Sequence, residues 1–225
     1  MLIEENIHEI QQGLSDNVKL IAVSKTRSVE EINEAYKAGV RDFGENKVQE
    51  LVAKYDAFGN DVRWHLIGHL QRNKVKYIVG KVWLIHSLDS IELLKEVEKQ
   101  YSKNNAIANV LIQINIGRED SKTGIKLEDL QGLIEECEKC SSVQVNGLMA
   151  IIPIGNEENC RNYFKEMKRI YDELSKKQYK NIIMDYLSMG MSSDYELAIE
   201  EGSNVIRVGE GIFGKRIYNN KQEEQ

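Results

Sequence analysis

The chain has 225 residues, of which 41% are hydrophobic, and its 30 Lys and Arg against 36 Asp and Glu give a net charge of −6; that is enough apolar material to bury a real core. Acids and bases are interleaved and leave no basic face, which argues against a nucleic-acid partner while leaving anionic small molecules open through local sites. No apolar run approaches a transmembrane helix and the N-terminus MLIEENIHEI carries acids where a signal peptide carries bases, so a cytoplasmic protein without membrane attachment is expected.

Leu2, Ile3, Ile7 and Ile10 have the spacing of an amphipathic helix over residues 2–13. The apolar run Leu20 to Val23 in KLIAVSKT reads as a buried strand that stops at Ser24, Lys25 and Thr26, and Ser28 with Glu31 forms a capping box for a helix ending near Gly39. The same alternation continues with strand VRDFGEN (40–46), helix 47–57, strand VRWHLIG (62–68), a helix through Lys74, Tyr77 and Val79, and strand KVWLIHSLD (81–89). Asp89 and Glu92 are read as a second capping box, ahead of IELLKEVEKQY.

In the second half, strand ANVLIQIN (108–115) is followed by helix 127–140, strand VQVNGLMAI (143–151) by helix 157–177, and strand IIMDYLSMG (182–190) by a short helix capped by Ser193 with Glu196 and closed at Gly202. NVIRVG (204–209) is the last strand, leading to GEGIFG and a polar tail, 219–225, expected to be disordered. Cys137, Cys140 and Cys160 cannot close a disulfide framework, and the CxxC pair Cys137 and Cys140 lacks the second pair of a zinc site, so thiols that pack helices are expected. Eight βα units point to an α/β fold, a single (β/α)8 TIM barrel over residues 1–218 with an extra N-terminal helix. The rival, a doubly wound open sheet, requires edge strands less apolar than these.

Barrels of this kind hold ligands at the carboxyl ends of their strands. The residues there are Lys25, Glu45 and Asn46, His65 and Gly68, His86 and Ser87, Asn115, Met149, Ser188 to Ser192, and Arg207 to Glu210. Lys25 can be the weakly solvated, nucleophilic amine of a semi-enclosed crevice. Gly209-Glu210-Gly211-Ile212-Phe213-Gly214 matches GxGxxG, but the chain ends too soon for the acid of a dinucleotide fold. A glycine-rich turn facing an anion fits better, with Ser192 offering its hydroxyl, Ser193 spent as a cap and Arg207 reaching in from the final strand. A strand-end lysine with a phosphate cradle suits a phosphorylated aldehyde held as a Schiff base, and pyridoxal 5′-phosphate (PLP) is the candidate. His65 and His69 have no accompanying carboxylate motif, so a metal is not expected.

AVSKT, FGENKVQE, WHLIGHLQRNK, SLDS, SKTGI, GLMAI, LSMGMSSD and IRVGEGIFG, spread in order over residues 19 to 218, resemble the pyridoxal phosphate homeostasis protein (YggS/PROSC) family, itself similar to the barrel domain of alanine racemase without that enzyme's second, β-rich domain. The resemblance implies that Lys25 carries PLP as a Schiff base and that Arg207 faces the pyridine nitrogen. It further implies that Ser192 and the backbone at Gly209 and Glu210 hold the phosphate, and that Asn46 lies near the cofactor. Lys47 departs from the aromatic residue common at its position, and residues 115–119 fall where the family varies; neither touches the lysine or the phosphate residues. The implied role is vitamin B6 homeostasis without substantial catalysis, by a monomer whose recipients would be apo PLP-dependent enzymes. The alternatives are an amino-acid racemase, disfavoured by the arginine at the ring nitrogen and by the missing domain that supplies the second base, and a sugar-phosphate enzyme using Lys25, which the motifs do not fit.

Overall fold

In the computed structural model, which describes residues 2–119 and 122–215, the elements alternate as the apolar runs dictate. They are α1 (Ile3–Gln12), β1 (Lys19–Val23), α2 (Val29–Lys37), β2 (Asp42–Glu45), α3 (Val48–Tyr55), β3 (Arg63–Leu66), a 3-10 turn (Arg72–Tyr77), β4 (Leu84–Leu88) and α4 (Ile91–Lys103). There follow β5 (Ala108–Ile114), a 3-10 turn (Leu127–Asp129), α5 (Leu130–Cys137), β6 (Val143–Ala150), α6 (Glu157–Ser175), β7 (Ile182–Met191), α7 (Tyr195–Glu200), β8 (Val205–Val208) and α8 (Glu210–Phe213). Among the described residues the eight strands close into one parallel barrel in sequence order, β1 pairing with both β2 and β8. The chain is therefore a (β/α)8 barrel preceded by a helix. None of its described helices is long and apolar enough to cross a membrane. The expected disordered tail, 219–225, lies outside the described residues.

Strand side chains alternate between two faces, and here the two faces differ in chemistry. Ala22, Phe43, Trp64, Leu66, Ile85, Val110, Ile112, Leu187, Met189, Ile206 and Val208 join the large core packed under the helices. Leu84, Leu111 and Met149 form a separate small cluster with Trp83 and Tyr186. Between them the same strands bury Asp42, His65, His86, Gln113, Ser188 and Arg207. The barrel axis is thus filled by a polar spine set among a few apolar residues, while the hydrophobic driving force resides outside it, between sheet and helices.

Four details differ from expectation. The third unit is closed by a 3-10 turn instead of an α-helix, because RNKVKY buries only Val75 and offers no amphipathic face for longer packing. The cap of α4 is Ser90, whose Oγ accepts from Leu93 N at 3.4 Å; Asp89 instead takes Ser90 Oγ and His69 Nδ1, each at 3.1 Å. Strand β7 runs on to Met191, so α7 starts after Asp194, which accepts from Met191 N at 2.6 Å, and Ser193 is not the cap. Finally, GEGIFG contains a four-residue helix. The three cysteines are buried; desolvation pushes the Cys137 thiol up to about 12 and Cys140 to about 11, as burial in apolar surroundings does to a thiol.

Candidate functional site

At the carboxyl ends of the strands lies a cavity of about 670 Å³. Lys25, Asn46, Ser192, Arg207, Gly209 and Glu210, the six residues singled out from the sequence, all line it. They come from the ends of β1, β2, β7 and β8, which the closure of the barrel between β1 and β8 makes neighbours. At the mouth Gly68 abuts β2 so closely that a Cβ there would stand 2.4 Å from the Asn46 carbonyl oxygen, so only glycine lets Asn46 keep its place.

Both neighbours of Lys25 are fixed by a buried ionic cluster. Glu45 is fully buried; its Oε1 accepts from Ser24 Oγ at 2.6 Å and from Lys54 Nζ at 2.9 Å. The Lys54 ammonium also donates to the Ser24 carbonyl at 2.9 Å and to Glu50 Oε1 at 2.7 Å, and Glu50 accepts the Thr26 N–H. Thr26 has φ of 65°, a left-handed conformation that costs a β-branched residue energy. Lys25 thus sits on a backbone whose local conformation is imposed by α3. Burial pushes the Glu45 carboxyl above its ordinary value, against the pull of Ser24 and Lys54.

On the opposite side Ser192 Oγ receives the N–H groups of Gly209, at 3.2 Å, and Gly211, at 3.4 Å. Donors that converge on one oxygen in this way suit an oxyanion. Gly190, at φ +94°, turns the chain towards this point, and a Cβ on it would meet Ala198 Cβ at 2.7 Å. Arg207 is 4% exposed and gives Nη1 to Ser188 Oγ at 2.6 Å and Nη2 to the Ala150 carbonyl at 2.9 Å. Both acceptors are neutral, and desolvation brings the guanidinium down to about 10, so it remains a cation at neutral pH.

His65 and His86 are not at the mouth, where strand-end reasoning placed them, but wholly buried within the barrel; Glu45, Ser87, Met149 and Ser188 are fully buried as well. His69 is separate from His65; it is at the surface, paired with Asp89. Asn115 does not line the cavity and instead orders its own loop through the Glu119 carbonyl at 2.8 Å. Sequence reasoning missed Gln113 and Thr123, which line the cavity and hydrogen-bond each other at 2.9 Å. Gln113 carried a signal: it is the one polar side chain inside the apolar run VLIQI.

A family described as alanine racemase, N-terminal domain, matches residues 2–217. The pyridoxal phosphate homeostasis protein of Aquifex aeolicus is 46% identical over 209 residues, 92% of this chain and 91% of that one. That of Schizosaccharomyces pombe is 38% identical over 212 residues, 92% and 89% of the two chains. PipY of Synechococcus elongatus, solved with PLP bound, superposes with a TM-score of 0.87 at 35% identity over 94% of this chain and 100% of that one. Alanine racemase from E. faecalis shares the fold, with a TM-score of 0.76 at 18% identity over 98% of this chain and 60% of its own.

Proposed function

The chain belongs to the pyridoxal phosphate homeostasis protein family, and from that premise we propose that it binds PLP at the barrel mouth as a Schiff base on Lys25 and holds or hands on the cofactor without turning over a substrate. The observation that carries this reading is the convergence on one cavity of a strand-end lysine, an oxyanion cradle and a buried cation. The groups fit the cofactor's chemistry part by part. The Lys25 amine takes the place of the aldehyde oxygen, which leaves as water. Ser192 with the N–H groups of Gly209 and Glu210 receives the phosphate, Arg207 donates to the ring nitrogen, and Asn46 flanks the ring. When bound, PLP supplies an electrophilic carbon for amines. A cation that donates to the ring nitrogen opposes its protonation and weakens the ring as an electron sink, which favours storage over catalysis. The domain spans residues 1–218, the setting is the cytoplasm, and a monomer passes PLP to apo PLP-dependent enzymes.

The test is to load the purified protein with PLP, record its visible absorbance, reduce with borohydride and map the label by mass spectrometry. A visible Schiff-base band and a label on Lys25 are expected. A label on Lys47 or Lys122 would overturn the assignment.

A further inference from the structure

The polar spine of the barrel is one unbranched series of hydrogen bonds. Arg207 Nη1 lies 2.6 Å from Ser188 Oγ, Ser188 Oγ 3.1 Å from His86 Nδ1, His86 Nε2 3.0 Å from His65 Nδ1, and His65 Nε2 2.9 Å from Asp42 Oδ1. The contact between β4 and β7, strands that are not neighbours, crosses the barrel interior. The series starts at the floor, where Asp42 and Arg63 are the first residues of β2 and β3, and it ends at the mouth, where Arg207 lines the cavity.

Its direction follows from its two ends. Arg63 and His65 hold the Asp42 carboxyl well below its ordinary range against desolvation, so it only accepts and His65 Nε2 must carry a proton. Desolvation lowers both histidines, His86 well below its ordinary value, and keeps them neutral; His65 Nδ1 therefore accepts and His86 Nε2 donates. His86 Nδ1 then accepts as well, so the Ser188 hydroxyl donates to it and its oxygen is left to receive Arg207, which only donates. Every donor has one acceptor, and all of them point from the mouth to the floor.

We propose that Asp42 is a positioning residue for Arg207: through His65, His86 and Ser188 it holds the guanidinium in place and commits Nη1 to the barrel interior, so that the N–H groups of Arg207 not spent on Ser188 and Ala150 face the cofactor's ring nitrogen. The proposal rests on the reading that PLP occupies the mouth. An anion at the floor with a cation at the mouth polarises the intervening bonds in one sense, and such a chain is worth more intact than its links suggest. The charged groups facing His65 are Asp42, Lys19 and Arg63, and His86 faces the neutral His65 ring and the Arg207 cation.

Two measurements test it. The first uses the cofactor-free protein labelled with 15N in histidine: long-range proton–nitrogen spectra should show His65 and His86 both neutral and protonated at Nε2, and Asp42→Asn, whose amide can donate as well as accept, should mix the tautomers of His86. A proton on Nδ1 of either histidine in the parent would overturn the series. The second is a double-mutant cycle on the PLP dissociation constant with Asp42→Asn and Ser188→Ala. Each should weaken binding about threefold to thirtyfold, with the double variant no weaker than the weaker single, because once Ser188 is gone Asp42 has no route to Arg207. Arg41→Gln, which removes a surface pair with Asp61 and touches no member of the series, should leave the constant unchanged. If Asp42→Asn does not fold, His65→Gln takes its place in the cycle. Additive losses would overturn the relay alone, whereas failure of the parent to bind PLP would overturn the functional reading and with it the role given to Arg207.

Discussion

The Lys54 ammonium donates 2.9 Å to the carbonyl of Ser24, thirty residues earlier in the chain, and this bond from the side of the barrel sets the backbone on which Lys25 stands. The same ammonium neutralises Glu45, which has no exposure and whose Oε2 has no hydrogen-bond partner. Lys54→Met should therefore cost about 3–5 kcal/mol, because it strands a buried carboxylate. Adding Glu45→Gln should return part of that loss. Urea unfolding of the three proteins measures it; a loss below about 1 kcal/mol in the single variant would mean that the cluster is not coupled to folding.

Arg207→Ala and Ser192→Ala should each weaken PLP retention by about tenfold to a hundredfold, the effect of deleting a contact worth about 1.5 to 3 kcal/mol to a charged group. The barrel should survive, since neither side chain belongs to the apolar core under the helices. Equilibrium dialysis with circular dichroism as the folding control measures both; retention equal to the parent's in the two variants would move the phosphate and ring sites elsewhere.

The order of strands and the place of Lys25 were legible because each strand here is a short apolar run bounded by turn or cap signals, and because barrel closure makes the first strand end adjoin the last. The spine was not legible. Asp42, His65, His86 and Ser188 lie in four separate runs, and nothing in one dimension says that β4 and β7 face each other across an interior. A histidine inside an apolar run reads equally as a mouth residue or a core residue, and only the third dimension placed His65 and His86 below the cavity. The cap at Ser193 failed for a local reason: β7 extends past Gly190 by one residue, and Asp194 takes the Met191 N–H instead.

Stability should fall on mild acidification. His65 and His86 are neutral when folded and bind protons more readily when unfolded, since desolvation lowers both in the barrel. Their contribution is fully present above the unfolded value of about 6.5 and is lost as pH falls below it, by about 1.4 kcal/mol per pH unit for each histidine. Asp42, depressed by Arg63 and His65, keeps its contribution until pH falls below about 4. Unfolding free energies between pH 7.5 and 5.5 measure the slope, and the comparison with His86→Leu cancels Glu45, whose raised carboxyl acts in the opposite sense. His86→Leu should remove at least half of the acid slope; an unchanged slope would mean that His86 is not the group being protonated.

A carrier and a racemase on the same barrel differ in whether a second group can move a proton at the substrate Cα. Racemisation requires an acid or base on each face of that carbon, and Lys25 supplies one. Among the described residues lining the cavity there is no tyrosine or cysteine; besides Lys25 and Arg207 the ionisable side chains are those of Arg27, His69 and Glu210. His65 and His86 are committed to each other inside the barrel, and Tyr186 packs against Trp83, with ring centroids 6.0 Å apart, so none of the three is placed to serve as that group. The loaded protein incubated with L-alanine in deuterated water should therefore show Cα exchange and D-alanine formation no faster than free PLP at the same concentration, followed by proton NMR and chiral chromatography. Turnover on the order of 1 per second, an ordinary enzyme rate, would overturn the carrier reading. The second base would then be sought at His69 or Glu210, with His69→Gln and Glu210→Gln separating them.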